Sequence, residues 1–312
     1  MKTEILSAPE KAVELLRLGE VVALPTETVY GLAADALNVD AVLKIFEAKE
    51  RPHFDPLIVH LPNETWLARL TSIPKAEQKI VSSLTSAFWP GPLTLVLPRQ
   101  SIVPDIVAAG LPMVAVRISA HPIFREIISA FGNPLAAPSA NRFGRISPTR
   151  AEHVAAELAG RIPLIIDGGP TTHGLESTIV APRNGRIEIL RTGPITKEEL
   201  EQFAPVTLVS LGRKPEAPGQ LRSHYAPRTP FVLTKNLETF RSEGMRIGKL
   251  ILDPDDLRRT AANLFRQLRE LDEAGFDLIV AEEIPETGLG RAIMDRLRRA
   301  SSDAPDKPAQ NL

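Results

Sequence analysis

Val21-Val22-Ala23-Leu24-Pro25-Thr26-Glu27-Thr28-Val29-Tyr30-Gly31 decides how the rest of this chain is read. Four apolar residues end at a proline, the pattern of a short buried strand. A turn follows that holds two threonine hydroxyls, a carboxylate and a glycine. On the N-terminal side, residues 9–19 have the marks of a helix: Pro9 at its start, Val13, Leu15, Leu16 and Leu18 as apolar positions, and Gly19 where the C′ residue belongs. A helix feeding a buried strand that stops in a polar turn is the repeating unit of an α/β sheet, an architecture that binds ligands beyond its strand ends.

The pattern continues outward. Residues 40–49 form a second predicted helix, with Asp40 as N-cap and Val42, Ile45 and Phe46 on one face. Lys49 continues that face at the helix C-terminus, just before Pro52 forbids further helix. Its plainest role there is to snorkel and to answer the helix dipole. Residues 57–61, 93–97, 113–118, 135–138, 164–167 and 178–181 read as strands with helical patterns between several of them, and their short spacing predicts some antiparallel pairing in a mixed sheet. From Pro205 the texture changes, and residues 212–230, with four prolines, read as an extended linker. Beyond it a strand at 247–252, a helix at 256–273, a strand at 277–281 and a helix at 291–300 make a small βαβα unit. The expected domains are 1–205, a linker at 206–230, a second α/β domain at 231–300 and a frayed tail at 301–312.

The 312 residues are 43% hydrophobic, with 37 Lys and Arg against 38 Asp and Glu. Such a chain buries a sizeable core. Its balanced charge lacks the basic excess of a general nucleic-acid clamp, and Arg291, Arg296, Arg298 and Arg299 read as a solvated helix face. The absence of cysteine removes thiolate catalysis, disulfides and zinc-thiolate sites together. With no signal pattern and no apolar run long enough for a bilayer, the cytoplasm is the expected address.

Chemistry gathers in polar islands. In strand 113–118, alternation sets Ala115 and Arg117 on one face, so the guanidinium has room to meet a carboxylate or phosphate bidentately; a surface ion pair is the plain alternative. His60 ends strand 57–61, where a lone histidine is more often structural. Ser139, Asn141, Ser147, Ser177 and Thr178 each follow or begin a strand-like run and would gather at sheet ends. Gly144, Gly168, Gly169, Gly174 and Gly193 would let backbone amides approach an anion. Neither Gly-x-x-x-x-Gly-Lys-Ser/Thr nor Gly-x-Gly-x-x-Gly occurs, so a nucleotide is bound by neither standard loop. Fixed cations and hydroxyls without a nucleophile-base triad suit a polyphosphate and a small zwitterion.

These islands together resemble the threonylcarbamoyl-AMP synthase family, the YrdC-like proteins, in its longer two-domain form. The match runs through Pro25 to Gly31, Lys49-x-Arg51-Pro52, Pro56 to His60, Trp89-Pro90-Gly91-Pro92-Leu93-Thr94, Val114 to Arg117 and Ala137-Pro138-Ser139-Ala140-Asn141. It continues through Ser147-Pro148-Thr149, Glu176-Ser177-Thr178 and Leu190-Arg191-x-Gly193, then Pro218-Gly219-Gln220 to His224-Tyr225-Ala226-Pro227 and Gly288-Leu289-Gly290 to Asp295-Arg296-Leu297. The resemblance implies a twisted α/β sheet around a basic cavity, followed by a Rossmann-like domain. It implies an enzyme that joins L-threonine, bicarbonate or CO2, and ATP into threonylcarbamoyl-AMP with release of pyrophosphate, the product being used by other proteins to modify tRNA. Mg2+ would arrive with ATP.

Residue by residue, the resemblance places Thr28, His60, Arg117, the Ala137 backbone and Ser177 around threonine. Lys49, Arg51, Asp55, the Met113 backbone, Ser139, Asn141, Ser147, Arg191 and Tyr225 would hold ATP, with Lys49 and Arg51 carrying the catalytic charge and the linker around His224 and Tyr225 acting as a lid. Asp55 stands where the family usually has asparagine, and a carboxylate beside phosphates needs a cation to meet it. Two rivals remain at this level: a carbamoyl-transfer protein using carbamoyl phosphate, whose metal-binding segments this cysteine-free chain lacks, and an RNA-binding module, for which two tryptophans offer few stacking platforms.

Overall fold

The computed structural model describes residues 2–209 and 225–301. Most of the expected linker, including Pro218 and His224, and the tail from 302 onward lie outside the described residues.

Eleven strands among these residues form one sheet: β1 (Glu4–Leu6), β2 (Val22–Leu24), β3 (Gly31–Asp35), β4 (Ile58–His60), β5 (Leu93–Pro98), β6 (Met113–Arg117), β7 (Leu135–Ala136), β8 (Leu164–Ile166), β9 (Thr178–Arg183), β10 (Arg186–Arg191) and β11 (Val206–Leu208). Their order is β1-β8-β2-β3-β7-β4-β6-β5-β9-β10-β11. The sheet is mixed, as the spacing predicts: β4 and β6 are parallel, whereas β2 with β3, β4 with β7 and β5 with β6 are antiparallel. Strand β11, placed in the linker by the sequence, lies beside β10 at the sheet edge.

The helices of this part are α1 (Glu10–Arg17), α2 (Val39–Lys49), α3 (Thr65–Leu70), α4 (Gln78–Phe88), α5 (Pro122–Phe131), α6 (Ala151–Leu158) and α7 (Lys197–Leu200). Alternation along β2 shows how they sandwich the sheet. Val22 and Leu24 pack with Val13 and Leu16 of α1 and Phe124 and Ile127 of α5. Ala23 faces the opposite core, with Val42, Ile45 and Phe46 of α2 and Val154 of α6. The N-cap of α2 is Asn38 rather than Asp40: its Oδ1 accepts from the backbone N–H groups of Asp40 and Ala41 at 3.1 and 3.3 Å.

The second unit has a strand that the sequence reading missed, β12 (Phe231–Thr234), besides β13 (Ile247–Leu250), α8 (Leu257–Glu273), β14 (Leu278–Glu282) and α9 (Gly290–Ser301). Its three strands are parallel in the order β12-β14-β13. Its core continues into the first unit, because Val29, Ile146 and Leu175 pack in one cluster with Tyr225, Leu264, Phe265, Ile293 and Leu297. The basic run on α9 is only partly a solvated face: Arg298 is exposed, but Arg296 and Arg299 are buried. No helix among the described residues is long and apolar enough to cross a membrane.

Candidate active site

A cavity opens where the ends of β4, β6 and β9 meet the β2–β3 turn. It has about 530 Å³ of empty space counted to its mouth, and its wall includes Thr26, Thr28, Arg51, His60, Arg117, Ala137, Ser139, Glu176, Ser177, Arg191 and Tyr225. Strand register explains the first pair. His60 and Arg117 are aligned partners in the parallel β4–β6 ladder, so both side chains reach the same end of the sheet. Burial, and next the neighbouring Arg117, pushes the His60 imidazole well below its ordinary pKa, and its Nδ1 has no hydrogen-bond partner. It is a neutral group at pH 7, tilted against Phe124.

The threonine-rich turn is held by its own hydroxyls. Thr26 Oγ1 donates to the Val29 carbonyl at 2.6 Å and lies 2.8 Å from Thr28 Oγ1. Arg117 Nη1 donates to Thr28 Oγ1 at 3.2 Å, while Nη2 pairs with Glu27 and Nε remains without a partner. Glu27 also accepts from Ser119 Oγ at 2.5 Å. Burial alone would raise the Glu27 carboxyl, but Arg117 and Ser119 outweigh it and hold the pKa below the usual value. Glu27 and Ser119 were given no role by the sequence reading. The arginine they orient was.

Arg51 also belongs to the wall. Its Nη2 donates to the Pro56 carbonyl and lies against Asp55 Oδ2, both at 2.8 Å. The added carboxylate thus meets a cation, and burial remains the larger effect, raising the Asp55 pKa. Arg191 donates from Nη2 to the carbonyl and hydroxyl of Ser177 at 2.9 and 3.1 Å, and the Ser177 hydroxyl lies 2.8 Å from Thr94 Oγ1. Tyr225, with φ of 68°, is buried with its ring stacked on Phe265.

Several expected residues stand behind this wall. Lys49 donates from Nζ to the carbonyls of Ser139 and Asn141, and burial, followed by Arg51, pushes its pKa well below the ordinary lysine value. Asn141 ties its own loop by donating to the carbonyls of Arg142 and Arg145, both at 2.8 Å. Ser147 donates to Glu176. The Ala137 N–H is taken by the Ile58 carbonyl, so a ligand contact from this backbone falls to its carbonyl. Met113 lies at the far end of β6, four residues before Arg117 and about 13 Å away along an extended strand. It does not line the cavity.

Residues 14–193 match the Sua5/YciO/YrdC family, described as telomere recombination, and residues 195–302 match the threonylcarbamoyl-AMP synthase C-terminal domain. The threonylcarbamoyl-AMP synthase of Bacillus subtilis is 42% identical, covering 93% of this chain and 92% of its own length. The chain belongs to the threonylcarbamoyl-AMP synthase family. The Pyrococcus abyssi relative of the same name is 39% identical, with 93% of each chain covered. Crystalline Pyrococcus abyssi Sua5 complexed with L-threonine superposes with a TM-score of 0.87 at 38% identity, over 96% of this chain and 98% of that one.

Proposed function

We propose that this protein is an L-threonylcarbamoyladenylate synthase that joins L-threonine, CO2 from bicarbonate and ATP, releasing pyrophosphate. One observation carries the reading: three arginines, Arg51, Arg117 and Arg191, line one cavity together with hydroxyls of the Thr26–Thr28 turn and Ser177. Such a site suits two anionic reactants better than a neutral one.

In this reading the threonine carboxylate sits at Arg117 and its side chain lies near Thr28, His60 and Ser177. The free amine attacks CO2 and loses a proton, which gives a carbamate. A carbamate oxygen then attacks the α-phosphate of ATP, and the bond to the β-phosphate breaks as pyrophosphate leaves. No protein nucleophile is required. The protein contributes positioning and charge, from Arg51 and Arg191 on the polyphosphate side. Lys49, Asn141 and Ser147 support that side through Ser139 and Glu176. Neutral His60 places no extra cation beside the threonine amine, which must be uncharged to react.

Among the described residues no group of three or more His, Asp or Glu gathers as a metal cradle. The carboxylates of Asp55 and Glu176 are already paired with Arg51 and Arg296. In this reading Mg2+ enters bound to the phosphates of ATP, where it would neutralise charge on the leaving pyrophosphate. The domain division at 206–230 and a lid role for Tyr225 belong to the same reading, since a water-excluding cover protects a carbamoyl-adenylate from hydrolysis. The product would pass to tRNA-modifying proteins in the cytoplasm.

The test is pyrophosphate release from MgATP with bicarbonate, in the presence and absence of L-threonine, with the adenylate followed by mass. Release that requires every component, with the threonylcarbamoyl-AMP mass, supports the assignment. Release without threonine, or none, removes it, and the carbamoyl-transfer or binding-module reading moves ahead.

A further inference from the structure

Arg296 belongs to α9 of the second unit, yet its guanidinium is committed to the first. Nε donates to Glu176 Oε2 at 2.7 Å, Nη2 donates to the Thr192 carbonyl at 2.9 Å, and Nη1 meets Asp295 of its own helix at 2.6 Å. The side chain is 1% exposed. Its carbon centre lies 5.1 Å from the Tyr225 ring. The second oxygen of Glu176 accepts from Ser147. One planar group therefore fastens the residue before Ser177 and the residue after Arg191. Ser177, Arg191, Glu176 and Tyr225 all line the cavity.

Other contacts also join the two units. The shared apolar cluster, the bond from Arg269 to the Ile146 carbonyl and the close approach of Gly174 to α8 already hold them. A buried ion pair is also a poor way to add stability, because the desolvation of both charges offsets most of their attraction. What it adds is the direct ion pair to a carboxylate that faces a cavity suited to phosphates, a charge that Arg191 and Ser147 also offset.

We propose that Arg296 is a positioning residue for the nucleotide: it pairs with Glu176 and, by holding the Thr192 carbonyl, sets Arg191 where it meets the polyphosphate, so the nucleotide wall is completed by the second unit. The inference rests on the assignment of ATP to this cavity. Lysine cannot replace the arginine fully, since a single ammonium cannot make both bonds in the plane of the fork.

The experiment compares the full-length protein with R296M, R296K, E176Q and R296M/E176Q. Calorimetry measures binding of α,β-methylene-ATP with MgCl2 and, separately, of L-threonine; steady-state pyrophosphate release gives KM for ATP and kcat. R296M is expected to weaken nucleotide binding about tenfold or more while L-threonine affinity changes less than about threefold. R296K falls between, and E176Q placed on R296M recovers part of the loss because the carboxylate left without its arginine is gone. Unchanged nucleotide affinity in R296M, or equal losses for both ligands with a lowered melting temperature, overturns the proposal. If R296M does not fold, R296K decides by the same criteria. Wild-type protein that binds nucleotide but makes no adenylate defeats the reaction assignment alone, and the binding data still judge Arg296. Wild-type protein that binds no nucleotide defeats both.

Discussion

Lys49 Nζ lies 2.5 Å from the carbonyl oxygen of Ser139 and makes a second bond, at 2.6 Å, to that of Asn141. The Lys49 carbonyl in turn accepts from the Phe143 N–H at 2.8 Å. The end of α2 is thereby sewn to the loop that presents Ser139 to the cavity. A residue expected to touch phosphate directly is the fastener of one that lines the site.

Lys49→Met should accordingly cost both stability and turnover. The Asn141 carbonyl, left buried without a donor, costs about 1–3 kcal/mol, whereas that of Ser139 keeps the Asn141 N–H at 3.1 Å. Urea denaturation should report a loss of that order, and pyrophosphate release should fall by about two orders of magnitude. Full stability with lost activity would return Lys49 to the role of a direct phosphate ligand.

Glu27→Ala breaks a buried ion pair and leaves Arg117 uncompensated, which costs about 3–5 kcal/mol in such settings. Beyond that loss, Arg117 would no longer be oriented, and L-threonine affinity should drop by about tenfold or more. Calorimetry on protein that remains folded at low temperature checks this. An unaltered threonine affinity would show that Arg117 needs no orienting partner.

Acid should destabilise the protein before its carboxylates titrate. His60 has a folded pKa well below the ordinary 6.5, and His153 is brought down to about 4, first by burial and then by Arg269. A depressed folded pKa means that the unfolded chain binds the proton more readily. The stability is thus present above pH 6.5 and is lost as pH falls below it. The urea midpoint should decline between pH 7.5 and 5, and His60→Gln should flatten that slope. An identical slope in the variant would remove His60 as a contributor.

Gly174→Ala tests the seam between the units. Gly174 has φ of +69°, and an added Cβ would lie 2.5 Å from the Ala261 carbonyl oxygen on α8. Neither the backbone nor the helix can yield cheaply. Calorimetric melting should change from one transition toward two, with the second unit melting first. A single unshifted transition would mean that α8 moves aside freely.

Much of this arrangement was legible from the chain. The buried run before Pro25, the strand ending at Arg117 and the core-facing Lys49 all follow from local period, which is what sequence reports best. Strand β3, Gly-Leu-Ala-Ala-Asp, was missed because nothing in it favours extended structure. It is a strand because β2 and β7 supply partners on both sides. Asn38 and Asp40 are equally good caps, so only the backbone could choose between them. Arg296 was read as solvent-facing, although it shares a helix face with Ile293 and Ala300. Its partner, Glu176, was already in view within a polar island, but no local rule joins a carboxylate to a guanidinium so far along the chain.

That separation, 120 residues between Glu176 and Arg296, also sets a clock. A ribosome adding about 5–20 residues per second takes roughly 6–24 s to travel from one to the other. Throughout that interval the nascent chain contains Thr28, Arg117 and Arg191 but not the arginine that pairs directly with Glu176. The ion pair that joins the two units is therefore a late event in synthesis, closed only as the last helix is made.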